Sequence, residues 1–264
     1  MSTHSTGITV HCRIKNEERF IRAAIRSVLP LAERVLVYDT GSTDATLHEV
    51  ASINSEKIEI VQKKFSTPQE LCEFRNEMIE RTTTEWYMVV DGDEIYPTHA
   101  VRRIAEEMEL VLPTVHRIAV NRRHFAESFN FLSPTHPVGR IFRTSQIRWR
   151  GASGGTETPY LRHDPSVSWN QFSMRLPRDV FFFHCHNFVR SSRDAELGEL
   201  RRWRRPPFPA LPYFGPWPET FELDGVTHWM TPELFWTWIG LNTRILWTGG
   251  LTLARKLTRQ VIGT

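Results

Sequence analysis

Trp86-Tyr87-Met88-Val89-Val90-Asp91-Gly92-Asp93-Glu94 is the stretch on which the fold turns. Its first five residues are apolar, aromatic and β-branched, the composition of a buried strand. The next four place three carboxylates nearly in a row, and a buried strand cannot continue through them. The chain must emerge there into a cleft, and closely spaced acids at a strand end suit a hard divalent cation. Taken alone, the stretch reads equally well as an acidic turn before a helix. The sequence on either side has to decide.

Before it, strands and helices alternate. Ile8-Thr9-Val10-His11-Cys12 reads as a first strand, and Lys15-Asn16-Glu17-Glu18 as a polar loop. Phe20, Ile21, Ala24, Ile25, Val28 and Leu29 then mark one face of a helix that stops at Pro30. Val35-Leu36-Val37-Tyr38 is a second strand ending at Asp39. The turn Thr40-Gly41-Ser42-Thr43-Asp44 offers a Ser or Thr cap to the next helix. Ile58-Glu59-Ile60-Val61 is a third strand, and Pro68 opens a helix carrying Leu71, Phe74, Met78 and Ile79. This order predicts a mostly parallel sheet covered by helices on both faces. Ligands of such sheets bind beyond the carboxyl ends of the strands, where both Asp39 and the Asp91–Glu94 stretch fall. That shared placement favours a site over a turn.

After about residue 112 the alternation stops. Val115–Val120, Val138–Phe142 and Asp179–His184 read as strands, giving a smaller mixed sheet with loops. From Arg201 the chain turns basic and then Pro-rich through Pro218, the composition of an extended linker or lid. Leu234–Ala254 carries one charge, Arg244, among Trp, Leu and Ile. It is long enough to span a bilayer, but a central Arg costs roughly 2.5–3.5 kcal/mol there. It reads as a helical extension that packs on the domain or lies at a membrane surface. The expected division is therefore a catalytic domain over 1–200, split at 112/113, and an extension over 201–264.

With 264 residues, 40% hydrophobic and 24% charged, the chain is an ordinary globular protein. A net charge of +3 gives no argument for nucleic acid. The three cysteines, Cys12, Cys72 and Cys185, have no metal-ligand spacing and fit a reducing, cytoplasmic setting. The polar segment from Met1 to Gly7 shows no signal peptide. There is no G-x-G-x-x-G after the first strand and no G-x-x-x-x-G-K-[ST], so neither dinucleotide nor P-loop chemistry is indicated.

Several residues remain as site candidates, each with a plainer reading. Asp39 can accept a hydrogen bond from a base or ribose, or simply form an Asx turn. Asp44 suits a helix N-terminus. Arg75, followed by Asn76, can contact a pyrophosphate, brace the acidic loop, or extend its head to solvent. His184 and His186 are two apart at the end of the apolar run Val180–Phe183, so both imidazoles can face one metal site. Trp149-Arg150-Gly151-Ala152-Ser153-Gly154-Gly155-Thr156-Glu157 is a Gly-rich turn presenting one carboxylate, a general-base candidate if its cleft is partly desolvated.

Together, Val10–Glu18, Val37–Asp44, Arg75-Asn76 and Asp91–Glu94 resemble the family 2 glycosyltransferases of the Rossmann-like A-type fold. The resemblance covers the first 110 residues closely and continues more loosely through Trp149-x-Gly151, Glu157 and the His184 region. It implies an inverting transferase that uses a nucleoside-diphosphate sugar (UDP-, GDP- or dTDP-linked) and Mn2+ or Mg2+. It places Lys15, Asn16, Glu17, Asp39, Arg75, Asp91, Gly92 and Glu94 at the nucleotide-sugar site. Asp93 with His184 or His186 falls at the metal, and Glu157 at the base. Thr156 stands where the resemblance implies His. The implied acceptor is a hydroxyl of a glycan or lipid-linked precursor, with peripheral membrane contact through 201–264. A nucleotidyltransferase and a non-catalytic sugar- or nucleotide-binding protein of the same fold are the rival readings.

Overall fold

The computed structural model describes residues 5–64, 66–125, 129–134, 136–151, 157–186, 188–193, 211–213, 217 and 235. The first half runs β1 (Ser5–Ile14), α1 (Ile21–Val28), β2 (Ala32–Asp39), α2 (Thr46–Ala51), β3 (Ile58–Gln62), α3 (Pro68–Glu80), β4 (Thr84–Val89), β5 (Glu94–Ile95) and α4 (Thr98–Met108). The second half runs β6 (Arg117–Phe125), β7 (Phe131–Pro134), β8 (Val138–Arg143), β9 (Ile147–Gly151), β10 (Glu157–Leu161), a 3₁₀ turn at Trp169–Phe172, β11 (Ser173–Arg175), β12 (Phe181–His184) and β13 (Leu211–Pro212).

The strand–helix alternation forms the parallel block β4-β1-β2-β3. Strands β8, β6, β7 and β13 continue the same sheet beyond β4 in antiparallel pairing. The smaller sheet is the β9–β10 hairpin, so most strands of the second half extend the central sheet. Strands β11 and β12 both run parallel to β6, and β12 also pairs antiparallel with β5.

Alternation along β1 explains the two cores. Ile8, Val10, Cys12 and Ile14 are buried with Ile21, Ala24, Ile25 and Val28 of α1 and Ala100, Val101 and Ile104 of α4. On the other face, Tyr87 and Val89 of β4 meet Cys72 and Ile79 of α3 and Trp149 of β9. His11 belongs to this second face. It stacks on Tyr87 with centroids 4.6 Å apart and shares a 2.7 Å hydrogen bond with Thr82 Oγ1. Burial and the nearby Arg75 charge lower its pKa to about 3, so it is a neutral core group.

Asn76 ties the hairpin to α3: its Nδ2 donates to Trp149 O and its Oδ1 accepts from Trp149 N, both at 2.9 Å. Trp149 Nε1 in turn donates to Tyr87 Oη at 3.0 Å. At the start of α2 the expected Ser or Thr cap is absent: the N-cap is Ala45, and Asp44 just before it accepts from Thr46 N at 3.0 Å through Oδ1. Ser42 and Thr43 bond Asn16 instead. The left-handed backbone of Asn16, φ 54°, aims that residue back at the turn.

Of the Pro-rich segment, Leu211–Pro212 forms an edge strand against β7. The reading of Leu234–Ala254 as a helical extension lies outside the described residues apart from Phe235. Among the described residues, no helix is long and apolar enough to cross a membrane.

Asn76→Ala leaves a main-chain donor and acceptor of Trp149 without their partner. Urea denaturation is expected to show a loss of about 1–3 kcal/mol.

Candidate active site

The acidic stretch turns out of the sheet where β4 ends. Val90 N donates to His11 O at 3.0 Å, and Glu94 N closes the turn on Asp91 O at 3.0 Å. Strand β5 follows at once and pairs with β12, setting Glu94 opposite His184. Cys185 N donates to Asp93 O at 2.8 Å, so the second segment is held to the turn by backbone. Side-chain atoms of Asp93, His184 and His186 then lie within 4.8 Å of one another, a set able to hold a metal ion.

Asp93 is buried, and its Oδ2 lies 3.5 Å from both His184 Nε2 and Arg190 Nη1. That oxygen and His184 Nδ1 are buried with no hydrogen-bond partner among the described residues. Burial opposes ionisation of Asp93, but His184 and Arg190 hold its carboxyl well below the usual range. Burial likewise opposes charge on His184, and Asp93 still raises it above an ordinary histidine. Burial and the His184 charge lower His186. A buried carboxylate oxygen and imidazole nitrogen lacking hydrogen bonds fit a divalent cation, so Asp93, His184 and His186 are the residues that would hold it.

Gly92 is glycine for want of space. A Cβ there would sit 2.7 Å from Glu17 Cγ and 2.9 Å from its Cβ. Glu17 is fixed over the turn by an ion pair from its Oε1 to Arg190, and its N donates to Thr46 Oγ1 at 2.7 Å. Asp39 sits at the carboxyl end of β2 with its carboxylate accepting from Gly41 N at 3.3 Å and Ser42 N at 3.1 Å, the Asx-turn geometry. Lys15 is exposed on the loop after β1.

Arg75 is buried, which overturns the reading of a side chain extended to solvent. Its Nε bonds Glu157 Oε2, its Nη2 lies 3.7 Å from Asp91 Oδ1, and its guanidinium covers the Trp149 ring at 5.0 Å. Arg75 therefore braces the acidic loop and the Glu157 carboxylate together. The other oxygen of Glu157 bonds Arg13 Nη1, and Arg13 also donates to Leu71 O at 2.6 Å. To act as a base, Glu157 has to be released by one of these guanidinium groups.

Sequence reasoning missed Arg140, Arg190 and His124, and gave Arg13 no role. Arg140 of β8 bonds Glu94 Oε1 and, at 3.1 Å, Asp91 Oδ2. Burial works against Asp91, yet Arg140 and Arg75 lower its pKa. In Glu94, burial outweighs Arg140 and lifts the pKa to about 7. The one signal for Arg140 was a charge inside the apolar alternation of Val138–Arg143. Nothing around Arg190 marked it. His124 lies beyond Val120, where the strand was expected to end; the observed strand runs to Phe125.

Residues 10–163 match the family model described as Glycosyl transferase family 2. The chain belongs to that family. Two relatives of this family 2 chain are the SPbeta prophage-derived glycosyltransferase SunS of Bacillus subtilis (strain 168) and glycosyltransferase SunS of Bacillus phage SPbeta. Each is 28% identical over 99 residues, which is 38% of this chain and 23% of the relative. The chain thus spans about a quarter of the length of the curated relatives it matches. Among solved structures, S. aureus TarS 1-349 aligns at 16% identity over 69% of this chain and 61% of that one, TM-score 0.47. Glucosyl-3-phosphoglycerate synthase from Mycobacterium tuberculosis, in complex with Mn2+ and uridine-diphosphate-glucose, aligns at 21% over 45% and 44%, TM-score 0.36.

Gly92→Ala is expected to push Glu17 off the turn and cost about 1–3 kcal/mol in chemical denaturation. An unchanged midpoint would show that Glu17 is free to move aside.

Proposed function

We propose that the protein is a metal-dependent, inverting glycosyltransferase that moves a sugar from a nucleoside-diphosphate donor to an acceptor hydroxyl. The observation that carries this reading is the double reach of Arg75, to Glu157 and to Asp91. One guanidinium joins the base candidate to the acidic turn, so both belong to one cleft at the carboxyl ends of the parallel strands. Family membership supports the chemistry and answers the nucleotidyltransferase rival.

The roles follow from chemistry and placement. Asp93, His184 and His186 are the residues that would hold a divalent ion, which would supply positive charge against the leaving diphosphate. Asp39, Asn16, Lys15 and Glu17 line the nucleoside side; Asp91, Gly92 and Glu94 form the floor under the diphosphate and sugar. The acceptor oxygen attacks the anomeric carbon while Glu157 takes its proton. The bond from that carbon to the diphosphate oxygen breaks, and its electron pair leaves with the nucleotide. Attack from the face opposite the leaving group inverts the anomeric centre. Arg13 and Arg75 orient Glu157 before it acts. We assign the acceptor to the glycans or lipid-linked precursors and the setting to the cytoplasm, with 201–264 as a segment that packs on the domain or lies at a membrane surface. The buried, free state of Cys12, Cys72 and Cys185 supports a reducing compartment.

Incubation with Mn2+ and a panel of nucleotide sugars is expected to release nucleoside diphosphate from one of them. No release and no nucleoside diphosphate binding across the panel would sink the reading. Glu157→Gln is expected to keep donor affinity, measured calorimetrically, while transfer falls about 10²- to 10⁴-fold. Equal turnover would move the base elsewhere.

A further inference from the structure

Two arginines share the Glu157 carboxylate, Arg13 at Oε1 and Arg75 at Oε2. They are not alike. Arg75 turns inward: it reaches Asp91 at 3.7 Å, covers the Trp149 ring, and its side chain is 9% exposed. Arg13 stands at the carboxyl end of β1, in register with Tyr38, and its side chain is 16% exposed. Every hydrogen bond that its guanidinium makes among the described residues leaves from Nη1, to Leu71 O and to Glu157. The Nε and Nη2 donors of Arg13 are unclaimed there.

Charge at this spot is out of balance. Burial and then the Arg75 charge lower the pKa of Arg13, against the pull of Glu157. Asp91, on the far side of Arg75, is shared with Arg140. A guanidinium with one open edge and a surplus of positive charge around it matches the oxygens of a carboxylate or phosphate. A neutral acceptor hydroxyl meets a difficulty here, because it displaces charge-assisted bonds to Glu157 poorly. An anion on the acceptor removes that difficulty. Bound by Nε and Nη2, it takes a share of the Arg13 charge and loosens the hold on Glu157 Oε1, which then accepts the hydroxyl proton. We infer that Arg13 determines acceptor specificity, its open edge binding a carboxylate or phosphate carried beside the hydroxyl that receives the sugar. Hydroxy acids, uronates and sugar phosphates share this chemistry. The inference rests on the reading of Glu157 as the base; the charge of the acceptor goes beyond it.

The first test is kinetic. The full chain is given Mn2+ and the donor from which it releases nucleoside diphosphate, and kcat/KM is compared within acceptor pairs that differ in charge. The pairs are glycerol 3-phosphate or glycerate against glycerol, and glucose 6-phosphate or glucuronate against glucose. At least one oxyanion class is expected to exceed its neutral partner by about tenfold or more, chiefly through KM. Arg13→Lys keeps the charge and loses the fork, so the ratio of charged to neutral acceptor should fall about tenfold. That ratio is read apart from any fall in kcat that a loosened Glu157 brings to both acceptors. A ratio unmoved by Arg13→Lys shows an action on Glu157 alone and overturns the inference, as does equal use of charged and neutral acceptors by the unaltered chain.

The second test needs no turnover. Methyl phosphate and acetate are titrated calorimetrically into the chelator-treated chain without nucleotide. One of them is expected to bind, and Arg13→Lys to weaken it by about tenfold. No binding of either, or binding untouched by Arg13→Lys, overturns the inference. An anion site that is lost with Arg13, in a chain that cleaves no donor, sinks the transferase reading and leaves the anion site standing.

Discussion

The site depends on a run of alternating charges that crosses the sheet: Arg13, Glu157, Arg75, Asp91, Arg140, Glu94. Buried carboxylates are tolerable only when each is paired, and removing one partner strands the next. Arg140 serves two acids of the turn, and Arg75 serves one of them and the hairpin Glu157. Arg190 links Glu17 to Asp93 in the same manner. Three guanidinium groups that each span two carboxylates hold α3, β8, β10, the acidic turn and the segments after β1 and β12 in one arrangement. The bidentate fork of arginine suits this bridging better than the point charge of lysine.

Backbone pairing supplies the other constraint. The short strand β5 exists because β12 pairs with it, and that pairing sets His184 beside Asp93. Strand β12 is positioned in turn by β6, which carries His124. The apolar run Val180–Phe183 is buried on the same core as α1 and α4, so hydrophobic packing anchors the strand that delivers two histidines. The candidate cation site is thus set by core packing at one end, with Asp93 buried and His184 and His186 partly exposed. This combination lets a site be both rigid and open.

The same geometry changes what Glu157 has to do. Both oxygens of this proposed base are held by Arg13 and Arg75, so an acceptor hydroxyl would have to compete with a guanidinium for one of them. Arg75 also lies 3.7 Å from Asp91, so the proposed nucleotide side and the proposed base share one side chain. A donor that draws Asp91 away from Arg75 would alter the grip on Glu157 without any movement of the sheet.

Local sequence determined the parallel half. The apolar runs before Asp39 and Asp91, the amphipathic spacing of α1 and the Pro at the start of α3 each carry their own signal, because period and punctuation are properties of neighbouring residues. Asp93, His184 and His186 were legible as candidates because they stand at strand ends, and Glu157 as the one carboxylate of a Gly-rich turn. Arg13, Arg140, Arg190 and His124 were not. An arginine that bridges two carboxylates looks like any surface arginine until the partners arrive from elsewhere in the chain. A histidine in register on a neighbouring strand has no local mark at all. Asp39 was legible both as a strand-end acid and as an Asx-turn former, and its carboxylate accepts from Gly41 N and Ser42 N as that turn requires. Strand ends and acidic turns are therefore written in the sequence, whereas pairing, register and charge neutralisation belong to the tertiary structure, since they join residues that sequence holds far apart.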